Sequence, residues 1–111
     1  MKILIIWATV LLTASAVMAN PPSDIKASYN PENKFLTITI MHGTLAPTAH
    51  YIKSVQVDLG DQTLINQNFK SQFNKGEQAA VIFMIDLKPA AKIKVTAKCS
   101  WWGEKSKEIT L

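Results

Sequence analysis

The sequence predicts an all-β protein, an immunoglobulin-like antiparallel β-sandwich of about seven strands. Three observations carry that expectation. Apolar and polar residues alternate in a series of short runs. Turn-forming groups punctuate the runs at regular spacing: Asn30-Pro31-Glu32-Asn33, Gly60-Asp61, Gly76-Glu77 and Lys88-Pro89. No segment carries a convincing helical period, and the only room for a helix lies within residues 62–75, where the pattern is weak.

The N-terminus stands apart from those strands. Lys2 is followed by the apolar run ILIIWATVLL and then by small residues ending Ala16-Val17-Met18-Ala19. A positive start, an apolar stretch and small residues before a cut make a secretory signal peptide, expected over residues 1–19. Residues 20–111 then form one domain, small but able to fold on a single core. A periplasmic or secreted location follows. The apolar run is short for a membrane span, and no cysteine stands at the cut to take a lipid. Nothing later is long and apolar enough to cross a bilayer, so no membrane contact is expected after cleavage.

The elements follow in order. Residues 24–29 form a first strand, closed by the turn at Asn30–Asn33. In KFLTITIMH, residues Leu36, Ile38, Ile40 and His42 share one face, and Phe35, Thr37, Thr39 and Met41 the other. The loop GTLAPTA leads to His50. In YIKSVQVDL, Val55, Val57 and Leu59 alternate, Gly60-Asp61 signals a hairpin, and QTLINQNF returns. AAVIFMIDL is a continuous apolar run, expected to be a central strand covered on both faces. KIKVTAKCSW puts Ile93, Val95, Ala97, Cys99 and Trp101 on one face, and Lys92, Lys94, Lys98 and Ser100 on the other. Gly103 breaks that run, and SKEITL closes the chain.

All twelve basic residues are lysines, and the net charge is +4, or 4 − 1 = +3 once Lys2 is removed. A nucleic-acid binder usually brings arginine for bidentate phosphate and base contacts, so no nucleic-acid partner is expected. Most of the charge serves solubility. Cys99 is the single cysteine, so the mature chain forms no internal disulfide, although small secreted domains often rely on them. Packing and the sheets must hold it together, and the thiol is buried, bound or reactive.

Three side chains could ligate a transition metal: His42, His50 and Cys99. Imidazole with thiolate suits iron, copper or zinc. The set is one short of a closed tetrahedral zinc site, and Asp, Met or water would have to complete an open one. The plainer alternatives are histidines that hydrogen-bond at strand ends and a cysteine that acts as a small buried hydrophobe. Trp101 is expected in the core by its phase, and Trp102, facing the other way, at an exposed contact. Lys92, Lys94 and Lys98 form a solvated or edge-protecting face, or else a docking stripe for an acidic partner. No Ser-His-Asp ordering, paired carboxylates or Gly-rich phosphate loop is present, so neither a hydrolase nor a nucleotide enzyme is supported.

The segment His42…His50-Tyr51-Ile52, running into Val55, Val57 and Gly60-Asp61, resembles the desulfoferrodoxin/superoxide reductase iron-binding domain family. That family has a histidine, a short proline-containing loop, and His-Tyr-Ile leading into an alternating strand. Near its C-terminus stands a Cys-Asn-x-His-Gly motif, and Cys99-Ser100-Trp101-Trp102-Gly103 falls in the same place. The likeness spans roughly Lys34 to Leu111. It implies a seven-stranded sandwich, an iron held by four histidines and an axial cysteine, superoxide reduction, and a nearby lysine that guides the anion. It makes His42 and His50 equatorial ligands and Cys99 the axial one. The family's C-terminal histidine falls at Trp102, and its upstream Glu-Lys-His loop has no counterpart here. The ligand set is therefore reduced. The same broad fold also resembles the Z subunit of the sulfur-oxidising carrier complex, which holds no metal. That likeness implies a metal-free module for a periplasmic protein partner; a partner protein or small ligand would meet one end of the sandwich, with Trp102, the 43–49 loop and the lysine face as its candidate surface. The oligomeric state is open.

Overall fold

The computed structural model describes residues 22–72 and 78–111, the side chains of residues 78–81 excepted. The expected signal peptide and the Gly76-Glu77 turn lie outside the described residues. Seven strands follow one another: β1 (Asp24–Asn30), β2 (Phe35–Met41), β3 (Ile52–Leu59), β4 (Gln62–Asn68), β5 (Gln78–Met84), β6 (Lys92–Cys99) and β7 (Glu104–Thr110). They form two antiparallel sheets, β1-β2-β5 and β4-β3-β6-β7. This is the expected sandwich.

The turns follow from local chemistry. Between β1 and β2, Asn30 Oδ1 accepts from the Glu32 amide at 2.9 Å and Asn33 Oδ1 from the Phe35 amide at 3.0 Å. These side chains mimic a backbone turn. Between β3 and β4 the loop is the pair Gly60-Asp61, with Leu59 opposite Gln62. Gly60 has φ +58°, a conformation open to glycine at little cost.

The two inner faces make the core. Ile25, Leu36, Ile38 and Ile40 come from one sheet, and Ile52, Val55, Val57, Ile93, Val95 and Ala97 from the other, all buried. Period-two alternation accounts for β2 and β6 directly. β3 is different. Its partners on β6 run Ile52↔Cys99 and then Ser54↔Lys98, so the register slips by one residue between Ile52 and Ser54. A bulge of this kind resets which face a side chain takes. Alternation carried back from Val55 would turn Lys53 and Tyr51 inward. The slip instead buries Ile52, and with it His50, at the inner face.

Two expectations are corrected. The run 79–87 is not a central strand covered on both faces. Among the described residues β5 pairs only with β2, at the edge of its sheet, and Ile82 and Met84 are 62% and 72% exposed. A continuous apolar run reads the same whether one neighbour or two cover it, and the number of neighbours is set by distant chain. The second correction concerns Lys92, Lys94 and Lys98. They are exposed as expected, but β6 is an internal strand, so they protect no edge. Carboxylates face two of them across the sheet: Lys94 sits opposite Asp58 and Glu108, and Lys98 opposite Glu104, while Lys92 sits opposite Thr110. Lys98 Nζ lies 3.8 Å from the Glu104 carboxylate. The face is an exposed charge ladder worth a few tenths of a kcal/mol per pair, about 0.2–1.

Two lysines of β7 join the sheets along one side. Lys107 Nζ donates to Asp24 Oδ1 at 3.0 Å and to the Ile25 carbonyl at 3.1 Å. Lys105 Nζ donates to the Ser23 carbonyl at 2.9 Å.

Candidate metal centre

His42, His50 and Cys99 come from three parts of the fold. His42 continues the inward phase of β2 one step past its end. Cys99 is the last residue of β6, in the other sheet. His50 ends the loop that crosses between the sheets. That loop is shaped by its own turn: the Ala46 carbonyl accepts from the amides of Ala49 at 3.0 Å and His50 at 2.7 Å. Thr44 Oγ1 caps its start by accepting from the Ala46 amide at 3.1 Å. Ser100 locks the loop to the end of β6. Its hydroxyl donates to the Ala49 carbonyl at 3.0 Å and accepts from the Tyr51 amide at 3.0 Å. Its amide donates to the Tyr51 carbonyl at 2.8 Å.

The result is a compact buried group. One ring nitrogen from each histidine and the Cys99 sulfur all lie within 4.8 Å of one another. The residues are 1% (His42), 6% (His50) and 2% (Cys99) exposed. The two imidazole rings meet edge to face, with centroids 4.8 Å apart and planes at 89°. Among the described residues no carboxylate belongs to the group.

Gln72 orients His42. Its side-chain Nε2 donates to the His42 carbonyl at 2.8 Å, and its Oε1 lies 2.8 Å from His42 Nδ1. A backbone carbonyl only accepts, so the amide nitrogen must face it and the amide oxygen must face the ring. Nδ1 therefore carries a proton, which makes Nε2 the lone-pair nitrogen of this tautomer. A hydrogen bond of this kind to one ring nitrogen is common around metal-ligating histidines. The turn after β4 brings Gln72 there: the Phe69 amide donates to Lys53 O and the Gln72 amide to Pro47 O, each at 2.9 Å.

His50 is the anomaly of the site. Its Nε2 is buried and has no hydrogen-bond partner among the described residues. A buried polar atom left this way costs about 1–3 kcal/mol. Burial, and secondarily the neighbouring His42, hold the His50 pKa below the usual histidine value. The ring is therefore neutral near pH 7, the form that donates a lone pair to a metal.

Trp101 closes the site on the outside. Its indole stacks on the His50 ring, with centroids 4.1 Å apart and planes at 6°. This corrects the expectation that Trp101 lies in the core, since it is 47% exposed. The alternation that places Cys99 inward ends with β6. The Cys99 amide donates to the Gly103 carbonyl at 2.9 Å, closing a turn through residues 100–103 that leaves the strand's phase. Gly103, at φ +96°, permits that closure. Trp102 is exposed as expected. Beside the turn, Cys99 shares a surface hollow of about 220 Å³ with Lys53, Lys98, Trp101 and Trp102.

The three predicted ligands are thus together, and the lysine face is on the outer side of the same sheet. Gln72 is the residue that sequence reasoning missed. It sits in the polar stretch NQNFKSQ, where a glutamine reads as solvated, and no local pattern points from it to His42.

The four-histidine iron of the desulfoferrodoxin-like proteins does not fit this chain, which has two histidines in all. Two imidazoles and one thiolate fit a smaller coordination sphere. No protein-family model matches the chain, and the search of curated proteins finds no significant relative. Among solved structures, the superoxide reductase from Nanoarchaeum equitans is similar, with 20% sequence identity and a TM-score of 0.49. That match covers 84% of this chain and 93% of the other.

Proposed function

We propose that the chain is a desulfoferrodoxin-like sandwich domain of the periplasm, or a secreted one, that holds a transition-metal ion through His42, His50 and Cys99. The observation that carries this reading is His50 Nε2, buried without a partner within a group whose other members are an imidazole and a thiol. Folding tolerates such an atom most readily where something bound completes it. The matched segments around His50-Tyr51-Ile52 and Cys99…Gly103 support the reading from the sequence side. Iron is the metal that resemblance implies, and the donor set also suits copper and zinc. A bound ion would supply a redox or Lewis-acid centre held by His42, His50 and Cys99. Superoxide reductase-like chemistry is the corresponding activity, to be assayed once a metal is established.

Metal analysis of the purified protein against His50→Ala and Cys99→Ser tests the proposal. Stoichiometric metal in the native chain, falling to background in both variants, is the expected result. Equal and negligible metal in all three proteins ends the reading.

A second reading has its own observation. Leu45, Trp101 and Trp102 are large exposed apolar side chains at the end of the sandwich that holds the three ligands. They suit a contact with a periplasmic protein partner, with Lys92, Lys94 and Lys98 available to an acidic surface. Trp102→Ala weakens capture of such a partner from periplasmic extract if the reading holds. An unchanged capture profile counts against it.

A further inference from the structure

We infer that the centre is selective for monovalent copper, held three-coordinate by the Cys99 sulfur and one ring nitrogen each of His42 and His50. The inference rests on the metal-site reading above and names its metal. Four features of the site converge on it.

The first is donor number. Among the described residues the group has three members and no carboxylate. Zinc sites take four ligands, and one with three protein donors keeps a water in the fourth place. Hard divalent ions draw on carboxylates and water. A soft monovalent ion is satisfied by a thiolate and two imidazoles.

The second is charge. The Cys99 thiolate contributes −1 and two neutral imidazoles contribute nothing. A monovalent ion leaves the buried centre at zero, whereas a divalent ion leaves it at +1. Uncompensated charge is costly where the surroundings are dry, and all three donors are buried. The charged groups lining the hollow at Cys99 are Lys53, Lys98 and Glu104, two positive against one negative, so the lining favours no extra positive charge. Glu104 lies 3.8 Å from Lys98.

The third is preparation of the nitrogens. Gln72 holds the proton on His42 Nδ1, and His50 Nε2 has no partner among the described residues. The His42 tautomer leaves Nε2 as the lone-pair nitrogen, and the unmatched His50 Nε2 is the second donor. The fourth is cover. The Trp101 indole lies flat on His50 at 4.1 Å, so the imidazole plane is shielded from water on that side.

The test is a competition, carried out anaerobically on the purified, metal-stripped, reduced full chain. Cu(I) is offered against the chelator bicinchoninate, and Zn(II) and Fe(II) are offered in parallel and then together with Cu(I). The expected result is one Cu(I) withdrawn from bicinchoninate per chain, retained in the presence of equimolar Zn(II) and Fe(II). X-ray absorption should show a three-coordinate copper with one sulfur and two nitrogens. Cys99→Ser and His50→Gln, each checked for folding by circular dichroism, lose that copper. Preferential binding of Zn(II) or Fe(II) overturns the inference and leaves the metal-site reading standing. Failure of every metal to bind removes both. Copper retained undiminished by the two folded variants also overturns the inference, because the ion then sits elsewhere.

Discussion

The two ends of the sandwich each hold a polar side chain between the sheets, and they treat it in opposite ways. At the end where β1 and β2 meet their turn, the Tyr29 hydroxyl donates to the Ile85 carbonyl at 2.8 Å and accepts from the Leu87 amide at 3.1 Å. The Ile85 amide still donates to the Lys34 carbonyl at 2.9 Å, and the tyrosine takes up the Ile85 carbonyl and the Leu87 amide beyond it. Every capacity of the hydroxyl that matters is used, so that end is a finished structural joint. At the other end His50 Nε2 is buried and unmatched, with a second imidazole and a thiol against it. The difference teaches where to look for function. This fold can satisfy a buried polar group with backbone where it needs to, and at the histidine end it leaves one open.

Substitutions that break this contrast differ in size. The largest effect after removal of a ligand is expected at Gln72. Gln72→Leu removes the partner of His42 Nδ1 and should weaken metal binding by about 10–100-fold, read by chelator competition. The same substitution at a joint with no bound ion would leave metal affinity untouched. Tyr29→Phe should cost about 1–2 kcal/mol in urea unfolding, because the Leu87 amide and Ile85 carbonyl lose their partner. Its metal content should equal that of the native chain. His50→Phe sharpens the comparison from the other side. It keeps a ring under Trp101 and removes the unmatched nitrogen, so the metal-free protein should gain about 1 kcal/mol while losing the metal. A gain of that kind at His50 with a loss at Tyr29 would show one end built for stability and the other held open against it.

The smallest effect is expected at Asp24. Lys107, first by its hydrogen bond, and then the Ile25 amide hold the Asp24 carboxyl below the usual aspartate value. Its folded pKa lies under its unfolded one, so the contribution is present above about pH 4 and is lost as pH falls through the folded value. Asp24→Asn should slightly lower the unfolding midpoint at neutral pH, and the difference should fade in high salt, as for any exposed pair. An Asp24→Asn effect equal to that of Tyr29→Phe would contradict this ranking.

Much of the fold was legible before any coordinates. Strands β2 and β6 follow from strict alternation, and the Asn30–Asn33 and Gly60-Asp61 turns follow from residues that favour them. The three ligand candidates were legible by type, since a chain with two histidines and one cysteine offers few choices. Three things were not. The edge position of β5 depends on how many strands flank it. Trp101 left the core because β6 stops at Cys99, and pairing, not residue pattern, decides where a strand stops. His50 faces inward because of a one-residue slip between β3 and β6, which reverses the phase that Val55 and Val57 suggest.

The sequence by itself therefore determined the class of fold, the inner faces of its regular strands and the chemical types available for a site. Those are local properties, written in the period of side chains along one strand and in the turn preferences of single residues. The tertiary structure decided that His42, His50 and Cys99 meet, that Gln72 holds one ring and Trp101 covers another, and that one nitrogen is left unmatched. These are distances between residues far apart in the chain. They depend on register and on the crossing of two sheets, which no single stretch encodes.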